Sequence, residues 1–157
     1  MNIKLLAIGK TDNKSLQTLI DDYQRRLSFY IKFDLEIIPD IKNVKNLSEA
    51  QQKEKEGELI LGKLAPTDQL ILLDENGKNF SSVGFSDELQ KKMNSGIKTL
   101  VFVIGGPYGF SDGVYSKAQG KISLSAMTFS HQMVRLFFIE QLYRAFTILR
   151  NEPYHHQ

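Results

Sequence analysis

The chain has 157 residues, 41% of them hydrophobic, with 20 Lys and Arg against 18 Asp and Glu and a formal net charge of +2. That length fits a single domain over residues 1–157 with a sizeable core, and the lack of cysteine excludes disulfides, thiolate nucleophiles and thiolate metal sites. No apolar run is long enough to cross a bilayer, and Met1 to Gly9 lacks the basic start and cleavage site of a signal peptide, so the expectation is a cytoplasmic protein without membrane contact.

Ile3 to Ile8 predicts an opening strand that Gly9 ends. From Asn13 to Tyr30 the residues Leu16, Leu19, Ile20, Tyr23, Leu27 and Tyr30 recur at three-and-four spacing, the signature of a helix with one buried face. Leu35 to Ile38 predicts a second strand, closed by Pro39 because proline has no amide hydrogen to give a ladder. Ile41 to Asn46 reads as a loop, and Ser48 with Gln51 matches a capping box that starts a second helix. The charges of Gln51 to Glu58 alternate in sign, which favours a solvated face over an RNA-binding surface. Pro66 closes that helix, and Leu70 to Leu73 predicts a third, buried strand. Asp74-Glu75-Asn76-Gly77 then reads as a turn, with a metal or ribose site as the alternative for its two carboxylates. Phe85, Leu89 and Met93 mark a third helix before Gly96. Strands alternating with helices predict an α/β fold, a parallel sheet with helices on both faces.

The stretch Leu100 to His131 holds most of the recognisable chemistry. Leu100 to Ile104 is a short apolar run suited to a strand buried on both faces. Gly105, Gly106 and Gly109 follow around Pro107, where missing side chains let backbone amides approach a ligand at the carboxyl end of a strand. Ile122 to Met127 alternates apolar and small polar residues, predicting a further strand that ends near the same crevice.

The last helix, from about His131 to Arg150, is apolar around most of its circumference, whereas a surface helix needs one stripe. A second copy covering the far face, a homodimer, is the favoured reading; enclosure within its own domain is the alternative. Arg135, Arg144 and Arg150 punctuate the helix and are candidates to hold RNA phosphate, with Tyr154 available to stack a base unless the terminus frays. Glu140 stands at i,i+4 spacing from Arg144 and pairs with it by default. His131 follows Ser130, a candidate N-cap, and in neutral form either accepts a proton or fixes the loop. His155 and His156 close the chain without a carboxylate or cysteine cluster to complete a metal set, so no metal is expected.

Three segments carry a resemblance: Val103-Ile104-Gly105-Gly106-Pro107-Tyr108-Gly109, then Leu124-Ser125-Ala126-Met127-Thr128-Phe129 with His131, then Glu140-Gln141-Leu142-Tyr143-Arg144-Ala145-Phe146 ending in Pro153-Tyr154-His155. Together they resemble the ribosomal RNA large subunit methyltransferase H family of the SPOUT class, over essentially the whole chain. The pattern departs at Ser130, where many relatives have proline, and at His156, where many have a basic residue. The resemblance implies a parallel α/β sheet with a deep C-terminal trefoil knot (the SPOUT, or α/β-knot, fold), a homodimer, and S-adenosyl-L-methionine (SAM) bound in the knot. It also implies methylation of N3 of a pseudouridine in 23S rRNA on the assembled ribosome.

Carried over by motif, the cofactor contacts are Leu73, Gly105, Leu124, Ser125, Ala126, Met127, Thr128 and Phe129. His131, Tyr154 and His155 are the ordered candidates for the catalytic proton acceptor or orienting group, and Arg135, Arg144 and Arg150 for RNA contact. The alternative from another class is a noncatalytic RNA-binding or ribosome-assembly dimer. An open dinucleotide-binding fold is disfavoured because such folds put the glycine loop after the first strand, where Gly9 stands alone.

Overall fold

Alternation of apolar side chains along the strands decides the layering. A computed structural model describes residues 1–156. Its strands are β1 (Asn2–Ile8), β2 (Phe33–Ile38), β3 (Gln69–Asn79), β4 (Thr99–Ile104) and β5 (Gly120–Ser123). All are parallel, in the order β2-β1-β4-β3-β5. Ile3, Leu5, Ala7, Ile71, Leu100, Phe102 and Ile104 face one side. There they meet α1 (Lys14–Leu27), α3 (Ser82–Asn94) and α5 (His131–Leu149). Leu6, Leu70, Leu72, Val101 and Val103 face the other side, against α2 (Glu49–Gly62) and α4 (Asp112–Lys117). This is the expected sheet with helices on both faces, and every strand carboxyl end lies along one edge.

Each α-helix starts on a residue whose side-chain oxygen accepts an otherwise orphaned amide. Asn13 accepts from Leu16, Ser48 from Gln51, Ser81 from Gly84, Ser111 from Val114 and Ser130 from Met133. At Ser48 the reciprocal bond from its own amide to Gln51 Oε1, 2.9 Å long, completes the expected capping box.

Three local readings change. β3 does not stop at Leu73: it continues through Asn79, and its pairing with β5 shifts register between Leu73 and Lys78. Asp74 to Gly77 is thus a turn-like bulge inside a strand, with the Asn76 amide donating to Asp74 Oδ1 at 2.8 Å. Gly77 is required there, since a Cβ would stand 2.5 Å from the Ile122 carbonyl carbon. β5 in turn ends at Ser123 rather than Met127. Ser123 Oγ donates to the Ser125 carbonyl and Ser125 Oγ accepts the Met127 amide, so side chains satisfy backbone groups that a ladder would need. The short α4 was not foreseen, because a helix of six residues burying only Val114 leaves no periodic trace.

α5 lies between α1 and α3 over β4. Phe138 is fully buried there, its ring centroid 4.7 Å from Phe102 and 6.3 Å from Phe85. The breadth of apolar surface on α5 therefore has an explanation within one chain: the sheet lies beneath and a helix flanks each side. Met133 and Phe137 remain exposed. Removing the central ring leaves a cavity, so Phe138→Ala is expected to cost about 3–5 kcal/mol of unfolding free energy, read as a lower urea midpoint at unchanged slope.

Candidate active site

The carboxyl ends of β3, β4 and β5 open into a cleft of about 510 Å³. Its floor is Leu73, Ile104, Ile122 and Ser123; its walls are the turn Gly105–Phe110, the bulge Asp74–Asn76, and the loop and first helical turn from Leu124 to Val134. The two expected segments, the glycine turn and the entry to α5, thus face one another across the same space. The lining includes no Lys or Arg; its charged side chains are the carboxylates of Asp74 and Glu75. Asp74 is held in place, since its Oδ2 accepts a 2.5 Å bond from the Tyr115 hydroxyl. Burial first, then that bond to Asp74, pushes the Tyr115 phenol up to about 12.

Of the residues expected to contact a cofactor, Leu73, Gly105, Leu124, Ser125, Met127, Thr128 and Phe129 line the cleft, and Ala126 does not. Ala126 is exposed at the bend that the Ser125–Met127 bond closes, with its side chain outside the lining. His131 lies in the lining and is solvent-exposed. Phe110 and Tyr115 join the cleft without having been singled out from sequence, and Asn76 and Tyr108 join it after being named only within a turn and a motif. The aromatic residues on both sides of Gly109 were the available signal.

The glycines of the turn also have a packing role. A Cβ on Gly106 would fall 2.1 Å from Glu56 Oε2, and one on Gly105 would fall 3.1 Å from the Phe110 ring. Both clashes are with atoms of the protein, so the missing side chains let the turn sit tightly on α2 and Phe110. Glu56 is buried beneath the turn, with a long 3.5 Å contact from Gln52 Nε2 as its side-chain hydrogen bond. Burial raises its carboxyl pKa above the ordinary value, and the charge of Asp40 adds to the rise.

Within the described chain none of the three arginines lines the cleft. Arg135 is 1% exposed: its guanidinium donates to the Ile8 carbonyl at 2.9 Å and Thr11 Oγ1 at 3.1 Å, and its Nε is buried without a partner. That location removes Arg135 from any RNA surface, because α5 turns this face toward the β1–α1 connection. Arg144 is committed to Glu140, with bonds of 2.6 and 3.1 Å to one oxygen, and to His155 Nδ1 at 3.2 Å. Arg150 stays exposed, stacked 4.5 Å over the Tyr30 ring.

The terminal segment is docked against α1 and α5. Tyr154 hydroxyl donates to Glu140 Oε1 and meets Tyr23 hydroxyl, each at 3.0 Å, and Tyr30 donates to Glu152. Burial and these two partners raise the Tyr154 pKa far above that of a free phenol, so the hydroxyl stays protonated. Arginine only donates, so the Arg144 contact makes His155 Nδ1 the acceptor and leaves the proton on Nε2. Neither Tyr154 nor His155 lines the cleft. Among the three expected proton acceptors, His131 alone combines a place in the cleft with a ring that makes no hydrogen bond to a described residue.

Two outcomes test the packing behind the turn. Glu56 has a raised pKa when folded, so its contribution to stability falls as pH rises through that value. Glu56→Gln is expected to melt above the parent at about pH 8 and to lose that advantage near pH 4; a constant difference in thermal scans counts against a buried charge. Gly106→Ala is expected to weaken ligand binding at the cleft at least tenfold by displacing the turn, with Glu56→Ala in the same chain restoring part of the loss by calorimetry.

Among the described residues no group of His, Cys, Asp or Glu is placed to hold a metal ion, and no helix is long and apolar enough to cross a membrane. Residues 1–155 match the family described as "Predicted SPOUT methyltransferase". The Ribosomal RNA large subunit methyltransferase H of Flavobacterium johnsoniae is 89% identical over 157 residues, spanning 100% of both chains. Proteins of the same name from Flavobacterium psychrophilum and Christiangramia forsetii are 88% and 68% identical, again over 100% of both chains. With a parallel α/β sheet, a cleft at its carboxyl edge and this match along nearly its whole length, the chain belongs to the SPOUT methyltransferase family.

Proposed function

We propose that this protein transfers a methyl group from SAM to N3 of a pseudouridine in 23S rRNA, acting in the cytoplasm as a homodimer on the assembled ribosome. The observation that carries the reading is the cleft itself, lined by Gly105, Gly106 and Gly109, free of Lys and Arg, and bordered by Asp74 and Glu75. That lining suits a ligand with cationic groups and an adenosine body, and its volume lies in the range of small-molecule sites. A phosphate-rich nucleotide would meet carboxylates without a cation to answer it. The full-length likeness to proteins named for large-subunit rRNA methylation supplies the RNA class. We further assign the whole described chain to one domain, and read the segment from β5 to the entry of α5, beside the register-shifted β3–β5 pairing, as belonging to the family's knot.

SAM supplies an activated methyl on a sulfonium, so neither a metal nor a covalent nucleophile is needed. The chain's part is to bind, orient and take a proton. Leu73, Gly105, Leu124, Ser125, Met127, Thr128 and Phe129 would hold the donor between backbone groups and apolar side chains, while Asp74, braced by Tyr115, would attract its cationic end. His131, exposed at the cleft, would accept the N3 proton as the N–CH3 bond forms. Glu140 lies nine residues along α5 from His131, about 14 Å by helical rise. Tyr154 and His155 dock beside Glu140, so their contribution to a cleft would come from a second copy of the chain. Met127, Met133 and Phe137, exposed near the cleft, offer an apolar surface for that copy.

Labelled methyl transfer to ribosomes with and without the pseudouridine, followed by nucleoside analysis, tests the proposal. Label is expected only on the pseudouridine, and an unlabelled nucleoside in the presence of active cofactor-bound protein would overturn it. His131→Ala is expected to lower kcat about 10²–10⁴-fold with SAM affinity retained; unchanged turnover would remove His131 from the mechanism.

A further inference from the structure

The cleft has an acidic side and no internal cation, so an RNA strand that delivers a base into it must find its phosphate partners elsewhere. Parallel pairing indicates where. Ala7 lies opposite Ile104 and Ile8 opposite Ile38, so the connections that follow β1 and β2 leave the sheet beside the Gly105 turn, on the side away from Asp74 and Glu75. The first carries Lys10 and leads into Lys14; the second carries Lys42 and Lys45. All four lysines are exposed, and none pairs with a carboxylate among the described residues. Lys10 is fixed relative to the cleft: Gln132 Nε2 donates to its carbonyl at 3.3 Å, and Gln132 Oε1 accepts the Asp12 amide at 3.3 Å. Gln132 is the neighbour of His131, which lines the cleft.

The acids of these connections, Asp12 and Asp40, are exposed too, but they are two against four lysines. Asp40 is folded over Gly9, its Oδ2 2.7 Å from where a Cβ on that glycine would stand. Asp12 and Asp40 both favour the charged form of Arg135, whose pKa burial pulls down. With the buried Arg135 guanidinium near both carboxylates and four exposed lysines around them, this corner of the molecule carries a net positive charge.

We propose that these four lysines form the phosphate-binding shoulder of the enzyme, gripping the RNA backbone beside the target nucleotide while the acidic β3 side repels it. The proposal rests on the RNA-methylating reading above and adds the surface that reading lacked. It also fixes the direction of approach: the backbone passes over the β1 and β2 ends, and the base turns inward toward His131.

The test is a variant with Lys10→Gln, Lys14→Gln, Lys42→Gln and Lys45→Gln, compared with Lys98→Gln at the opposite edge of the sheet. Ribosome binding by sedimentation at several salt concentrations is read without turnover, and SAM affinity by calorimetry. The fourfold variant is expected to raise the ribosome Kd by about tenfold or more and to flatten the log Kd against log salt slope by roughly 0.7–0.9 per lost contact, with SAM affinity retained. A ribosome Kd within about twofold of the parent, an equal loss in Lys98→Gln, or SAM affinity lost together with ribosome binding would each overturn it. Failure of the parent protein to methylate a ribosome it binds would count instead against the methylation reading, because sedimentation reports the shoulder separately.

Discussion

The packing of α5 across β4 is the constraint from which the site follows. Phe138 on the Phe102 ring fixes where the helix lies on the sheet, and α1 and α3 on its flanks fix its direction. A helix held that way has one place for its first turn, the carboxyl edge where β3, β4 and β5 end. There it splits its duties by face. His131 and Val134 look into the cleft, while Gln132 and Arg135 clamp the β1–α1 connection. The side chains that line the site and those that anchor its rim are therefore interleaved along a single turn.

Charge is arranged on the same principle of near and far sides. Asp74 and Glu75 border the cleft on the β3 side, and Glu56 lies buried beneath the glycine turn. Arginines that look like nucleic-acid contacts in a linear reading serve the protein itself. Arg135 bridges a strand end and a loop, and Arg144 organises Glu140 and His155. A guanidinium is suited to such work because its planar set of donors satisfies several acceptors at once. Lysines, with compact and well-hydrated charges, remain at the surface.

Much of the architecture was legible from local pattern. The three-and-four spacing of α1, the Ser48–Gln51 capping box, the buried run of β4 and the convergence of the glycine turn with the entry to α5 all appear as expected. Besides the local bonds that end β5 and the shortness of α4, contacts between residues far apart in sequence escape the pattern. β3 continues past Leu73 because β5 pairs with it again at Lys78 and Asn79. Gly106 has no room for a side chain because Glu56, fifty positions earlier, occupies the space. Part of the apolar surface of α5 is covered by α1 and α3, a contact that the one-dimensional pattern does not show.

Sequence alone determined the alternation of strands and helices, the helix starts, the family resemblance and the two segments that carry the chemistry, because periodicity and capping act within a few residues. Tertiary structure decided which charges are free. Burial withdrew Arg135 from the surface, hydrogen-bond partners engaged Arg144, Tyr154 and His155, and His131 was left facing the cleft. Apart from the Glu140–Arg144 pair, which its i,i+4 spacing announces, those outcomes depend on partners more than ten residues away along the chain, and a side chain's availability is a property of what surrounds it.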